Sequence, residues 1–275
     1  TESKKLGIKV IEKFFGKNTS KEIISTHGHS NLIIGNNVFA HVPDINDFTR
    51  GLKLLLDKNG TITLEFPHIV NLIELNQWDT IYHEHYSYFS LLTVNNILKY
   101  HGLKIYKVQK IDTHGGSLRI FASHDYSDKK IETSVSEIID YEKKINLDNL
   151  SGYSSIQIKA DKNKNDVLNF LREKKQSNKI VVGYGAAAKG NTLLNYAEIN
   201  KDLIPVVFDA SPSKQGKFLP GSKIPILKPE SIKDYDPDFI LIFPWNIKDE
   251  VIKSVTPILK KKATFFVASP DLKIL

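Results

Sequence analysis

Residues 180–192 read Ile-Val-Val-Gly-Tyr-Gly-Ala-Ala-Ala-Lys-Gly-Asn-Thr. Ile180–Tyr184 has the apolar, β-branched character of a buried strand, and Gly185–Gly190 the composition of a tight turn. Residues 191–197 then take helical spacing. A strand that runs through a glycine-rich turn into a helix is the opening unit of a nucleotide-binding α/β fold. The chain beyond it keeps the alternation. Ile204–Asp209, Phe239–Phe243 and Thr264–Val267 read as strands, and residues 247–260 as a helix. Residues 127–275 are therefore expected to form a Rossmann-like α/β domain, led by one or two polar helices over 128–178.

Upstream, residues 8–27 carry Ile8, Ile11, Phe14, Phe15, Ile23 and Ile24 at helical spacing. Asn31–Ile34 reads as a buried parallel strand with Gly35-Asn36-Asn37 at its carboxyl end. Residues 46–57 form an amphipathic helix with Phe48, Leu52, Leu55 and Leu56 on one face. Lys58-Asn59-Gly60 is expected to turn the chain into a strand, Thr61–Phe66, which Pro67 stops. A helix over 91–101 ends at Gly102, and strands follow at 103–108 and 117–122. Residues 1–126 thus read as the C-terminal half of a doubly wound sheet closed by an antiparallel hairpin. The half that would carry a nucleotide-binding glycine loop is expected to precede the chain, which neither starts with Met nor contains one.

Of the 275 residues, 41% are hydrophobic and 25% charged, the balance of a globular protein with material for one large or two medium cores. No apolar run is long enough to span a bilayer, and the N-terminus lacks the apolar stretch of a signal peptide. With no cysteine, these residues form no disulfide and no Cys-ligated zinc site. A cytoplasmic location is the expectation. The net charge of +7 favours an anionic ligand, but no basic arm or aromatic–basic interleaving points to nucleic acid.

Five stretches carry chemistry. Asp79-Thr-Ile-Tyr-His-Glu-His-Tyr-Ser-Tyr88 places two His, two acids and three Tyr between a strand and a helix. A His flanked by Glu and Tyr is a candidate general base: a Glu can orient the imidazole and raise its basicity, and a Tyr can donate to a developing oxyanion. His83-x-His85 also allows a metal reading, though without a third nearby ligand, and the stretch also reads as a polar surface loop. Gly35–His41 is either an Asn-rich capping turn or the rim of a site, which His41 would enter. In His114-Gly-Gly-Ser-Leu-Arg119, Ser117 and Arg119 are phosphate donors, or parts of a tight connection. In the opening stretch, Lys189, Asn191 and Thr192 sit where a helix N-terminus binds phosphate, with Asp209 at the next strand's end as a ribose acceptor; the same glycines also serve strand–helix packing. The fifth is Lys214–Gly221 with Phe243-Pro-Trp245-Asn246, where Trp245 either stacks on a ligand or fills the core.

Taken in order, Asn-Asn-Val-Phe-Ala-His41, Asp-Thr-Ile-Tyr-His-Glu-His85, His-Gly-Gly-Ser-Leu-Arg119, Tyr-Gly-Ala-Ala-Ala-Lys-Gly-Asn-Thr192, Lys-Gln-Gly-Lys-Phe-Leu-Pro-Gly221 and Pro-Trp-Asn246 resemble the S-adenosylmethionine-dependent sugar C-methyltransferases over nearly the whole chain. The resemblance implies a class I methyltransferase sheet followed by a second Rossmann-like domain. It implies His85 as base, with Tyr82 and Glu84 assisting, in methylation at C-3 of a nucleotide-linked 4-keto-deoxysugar. It places Asn36, Asn37 and His41 at the cofactor, and Ser117, Arg119, Lys189, Asn191, Thr192, Trp245 and Asn246 at the nucleotide-sugar. Family members also carry a zinc-binding N-terminal module and a glycine-rich cofactor loop, both expected outside this chain, so no metal site is expected within it. A monomer or weak dimer is the expected state. Two other readings stay open: an NAD(P)-dependent sugar oxidoreductase built on residues 183–209, which lacks an evident Tyr-x-x-x-Lys pair, and a non-catalytic nucleotide-sugar-binding fragment.

Overall fold

The computed structural model describes residues 2–275, without the side chains of residues 2, 3 and 114; His114, which opens one of the motifs above, thus has its side chain outside the described set. Ten strands are described: β1 Ser30–Asn36, β2 Leu56–Pro67, β3 Leu103–Ile111, β4 Ser117–His124, β5 Val181–Tyr184, β6 Val207–Phe208, β7 Ile226–Leu227, β8 Phe239–Ile242, β9 Thr264–Val267 and β10 Lys273–Ile274. The chain divides into two compact units. One comprises the residues up to His68 with His85–Asp148; the other comprises Ile69–Glu84 with Asn149–Leu275.

In the first unit the strand order is β1-β2-β4-β3. β1 and β2 are parallel, and β4 runs antiparallel to both β2 and β3. This is the expected parallel pair closed by an antiparallel hairpin. Its core gathers Phe39, Phe48, Leu52, Ile62, Leu64, Phe66, Phe89, Leu91 and Leu98. Helix Ile45–Leu55 starts on Asp44, whose carboxylate accepts from the N–H groups of Asn46 and Asp47. Gly51 lets this helix meet helix Lys17–His27 closely: a Cβ there would fall 2.7 Å from the Gly16 carbonyl carbon, and Ser20 Oγ donates to the Gly51 carbonyl at 2.9 Å.

Three expectations are corrected here. The helix over 8–27 begins only at Lys17, and the preceding stretch is not helical. Gly7 and Gly16 interrupt it, and of the apolar residues between them Phe15 packs edge-on against Phe48, whereas Phe14 is 99% exposed. β1 is not a buried strand; it pairs on one side only, and Leu32 and Ile34 are 55% and 64% exposed. The turn at 58–60 is instead an irregularity inside β2. Ser30 pairs with Leu56 but Leu32 with Thr61, so the intervening residues bulge, with Asn59 N–H turned onto Asp57 Oδ1.

In the second unit the order is β10-β9-β8-β5-β6-β7, parallel except for the β10 edge. From β5 the chain first builds outward through β6 and β7, then returns to build β8 and β9 on the other side. That is the doubly wound order, with its switch point between β5 and β8. Side chains alternate between two cores: Val181 and Leu241 enter one, Val182, Ile240 and Ile242 the other. Helix Ser155–Gln176 of this unit and helix Thr133–Lys144 of the first unit cover the segment read as one or two. The strand expected over 204–209 pairs only at Val207–Phe208, because Pro205 has no N–H to donate to a ladder. Among the described residues no helix is long and apolar enough to cross a membrane.

Candidate functional site

The unit boundary falls between Glu84 and His85. Of the three residues expected to be catalytic, His85 therefore belongs to the first unit, and Tyr82 and Glu84 to the second.

In the first unit, Asn36 ends β1 opposite Glu65 of β2 and is exposed. Asn37 is left-handed, φ 52°, and its N–H donates to the Glu65 carbonyl at 2.8 Å. The Glu65 carboxylate, 4% exposed, accepts from Arg119 Nη2 at 2.8 Å and from Thr113 Oγ1 at 3.0 Å. Ser117 Oγ donates to the Thr113 carbonyl. Ser117 and Arg119 are thus both engaged at the end of the sheet, beside the Asn36–Asn37 turn. From there Phe39–His41 forms a single helical turn. Its Ala40 carbonyl accepts the N–H of Tyr86 at 2.8 Å, and Phe39 stacks on Phe89 at 4.8 Å between centroids. These contacts tie residues 39–41 to the segment after His85. The rings of His41 and His85 meet edge to face at 4.8 Å, and His85 also meets Tyr88 at 5.6 Å. The expected base is thus held among aromatic rings, with a second imidazole beside it.

In the second unit a cavity of about 510 Å³ is lined by Ile81, Tyr82, His83, Glu84, Asn191, Thr192, Asn195 and Tyr196. Thr192 Oγ1 donates to the Ile81 carbonyl at 3.0 Å and pins the 81–84 segment to helix Ala188–Tyr196. The Asn191 side-chain oxygen is buried without a hydrogen-bond partner. Next to this helix lies the switch-point crevice. Gly185 and Gly190 are fixed by packing: a Cβ on Gly190 would come 2.5 Å from the Phe243 ring, and one on Gly185, φ 87°, would collide with Pro244. The loops after β5 and β8 therefore interlock, which brings Lys189 onto the face of Trp245, 4.2 Å from its centroid, and within 2.9 Å of Asn246 Oδ1. Burial holds the Lys189 ammonium below the usual lysine range, opposed by the charge of Asp79.

Asp79 is the residue that sequence reasoning did not single out. It accepts the Trp245 indole N–H at 2.9 Å. Burial pushes its pKa up to about 6, against the pull of Lys189 and of the hydrogen bond from Trp245. The other carboxylate oxygen, Oδ1, and the Ser269 hydroxyl are both buried without a hydrogen-bond partner. Asp209, expected at a ribose in the dinucleotide reading, is occupied otherwise. Its carboxylate accepts from the N–H groups of Ala186 at 2.7 Å and Ser211 at 2.8 Å and lies 3.4 Å from Lys214 Nζ. Among the described residues no three His, Cys, Asp or Glu side chains converge as a metal site.

A family of C-methyltransferase C-terminal domains matches residues 112–270, and a methyltransferase-domain family matches residues 7–108. The C-methyltransferase NovU of Streptomyces niveus is 33% identical over 269 residues, which are 98% of this chain and 64% of that protein. The chain thus spans less than two thirds of that relative. Among solved structures, an SAM-dependent methyltransferase of Anabaena variabilis aligns with a TM-score of 0.32 at 14% identity, over 40% of this chain and 55% of that one. The magnesium protoporphyrin IX methyltransferase of Synechocystis, with bound SAH, aligns with a TM-score of 0.30 at 18% identity, over 37% and 48%.

Proposed function

Because the chain belongs to the C-methyltransferase C-terminal domain family, we propose that it works in S-adenosylmethionine-dependent methylation of C-3 on a nucleotide-linked 4-keto-deoxysugar. One observation carries the reading: Tyr82 and Glu84 line the same cavity as Asn191 and Thr192. Two residues assigned to the reaction thus share a wall with two assigned to the substrate.

The carbonyl at C-4 of such a sugar acidifies the proton on C-3. His85 removes it as general base, in a setting fixed by the rings of His41 and Tyr88. Tyr82 donates a hydrogen bond to the enolate oxygen as negative charge develops, and Glu84 assists as a hydrogen-bonding acid. Lys189, Trp245 and Asn246 of the second unit take the anionic nucleotide end of the substrate, with Asn191 and Thr192 as further polar contacts; in the first unit, Ser117 and Arg119 are the residues that the family resemblance offers to the substrate. The ammonium of Lys189 supplies the positive charge for the phosphates.

The turn at Asn36, Asn37 and His41 suits the cofactor. Asn36 is exposed at the carboxyl end of a parallel strand, where α/β sheets bind ligands, and the left-handed Asn37 turns the backbone away from the strand. When bound, S-adenosylmethionine supplies the sulfonium methyl that the carbanion at C-3 accepts. Holding the two partners in line is the main work left to the protein.

The test is His85→Asn, assayed for methyl transfer to a deoxythymidine-diphosphate 4-keto-deoxysugar. Turnover should fall on the order of 10²–10⁴-fold, the usual worth of a general base, with cofactor affinity little changed. Near-normal turnover would overturn the assignment of the base.

A further inference from the structure

Asp79 lies in the short turn Trp78–Thr80 and is 3% exposed. One carboxylate oxygen accepts the indole N–H of Trp245; the other is buried with no partner. Trp245 opens the turn that follows β8, and its ring face carries the Lys189 ammonium. Lys189 in turn donates to Asn246. A line of contacts therefore runs from Asp79 through Trp245 and Lys189 to Asn246, at the carboxyl ends of β5 and β8. Burying a carboxylate with one oxygen unpaired is costly, and such costs concentrate where a group has a task.

We propose that Asp79 is a positioning residue for anion binding at this crevice: by holding the indole N–H it fixes the ring on which Lys189 rests, and so fixes the ammonium that meets the substrate's phosphates. The inference rests on the reading that Lys189, Trp245 and Asn246 take the anionic end of the nucleotide-sugar.

The physical reason lies in the lysine. Its four-carbon stem is flexible, and ordering it at the moment of binding opposes association. A ring locked edge-on to a buried acceptor offers one cation–π seat, so the ammonium is ordered before the ligand arrives. The charge of Asp79 works the other way, since a carboxylate near Lys189 repels an anion. Asp79 therefore serves through geometry, and an uncharged acceptor in its place should serve as well or better.

Titration with inorganic pyrophosphate, followed by the indole N–H resonances of ¹⁵N-labelled protein, separates the possibilities. The chain has two tryptophans, so the Trp245 signal is assigned with Trp245→Phe. Wild type should bind and shift that resonance, and Lys189→Ala should bind much more weakly. Asp79→Ala should weaken binding about tenfold, the loss of one placed cation–π contact. Asp79→Asn, which keeps an acceptor oxygen, should bind as tightly as wild type or more tightly. If Asp79→Ala does not fold, Trp245→Phe tests the same tie from the donor side, and about tenfold weaker binding is expected there too. Failure of wild type to bind, or binding that ignores Lys189→Ala, overturns the reading of the crevice. Binding that needs Lys189 but is unchanged in Asp79→Ala, or equally lost in Asp79→Asn, overturns the positioning role alone.

Discussion

Among the carboxylates that the two units bury, Glu142 and Asp79 are treated in opposite ways. Glu142, in the first unit, is 0% exposed. It accepts from His68 Nε2 at 2.7 Å and from the N–H groups of Leu91 and Leu92 at 2.6 and 2.8 Å. Both of its oxygens are used, and two of the three hydrogen bonds serve the orphan donors of helix Leu91–Tyr100, alongside the Ser90 cap. Asp79, in the second unit, is nearly as buried but has one donor and one bare oxygen. The carboxylate with a full set of partners binds a strand end, a helix start and a second helix into one piece. The one with an incomplete set stands beside the candidate ligand site. Partner count, more than depth of burial, separates a structural acid from one held for another purpose.

The comparison breaks most sharply at Glu142. Glu142→Ala removes three hydrogen bonds and leaves two helix N–H groups and an imidazole unpaired in the core. The loss should be about 3–5 kcal/mol, since each buried polar group left unpaired costs about 1–3 kcal/mol before relaxation. Glu142→Gln keeps one acceptor oxygen and should lose less. Denaturant unfolding of both variants measures the difference. A loss under about 1 kcal/mol for the Ala variant would mean that the freed N–H groups and imidazole find other partners and that Glu142 does not hold these elements together.

Asp79 should show the next largest effect, through pH. Its pKa is raised from an ordinary value of 3.8 to about 6. A carboxyl whose folded pKa is raised favours the fold while protonated. That contribution is complete below about pH 4 and is lost as pH climbs through about 6, by up to about 3 kcal/mol for a shift of this size. Asp79→Asn removes the titration. The stability difference between variant and wild type should therefore widen in the variant's favour between pH 4 and 7. A difference that stays flat over that range would show that burial does not govern this group.

These roles were unevenly legible in the sequence. Val181–Tyr184, Phe239–Ile242 and Thr264–Val267 stand out because buried parallel strands are unbroken apolar runs bounded by glycine, proline or polar residues. The two-residue strands β7 and β10 have no such run and are set by their neighbours in the sheet. The early start of the first helix misled because Ile8, Ile11 and Phe14 share its spacing without its contacts. Exposure of β1 was equally hidden, since apolar composition does not reveal whether a strand has a partner on both sides. Within the candidate site, polar density drew attention to residues 79–88. It did not reveal that the stretch divides at Glu84 between two units, or that Asp79 ties to a tryptophan 166 residues away. Local pattern carries no information about a contact at that separation.

The smallest expected effect concerns Glu65, which lies between the two extremes. It is buried, each oxygen has one donor, and one of those donors, Arg119, is 38% exposed. A partly exposed guanidinium is screened by solvent, and Thr113 still serves Glu65 when Arg119 is gone. Arg119→Met should therefore cost about 1–2 kcal/mol, the worth of one charge-assisted hydrogen bond. The variant also separates two uses of the arginine. If Arg119 only anchors Glu65, the apparent KM for a nucleotide-sugar will follow stability and recover when the variant is assayed well below its unfolding temperature. If it also contacts the substrate, as proposed, KM stays raised at low temperature, because the missing interaction lies with the ligand and not within the sheet.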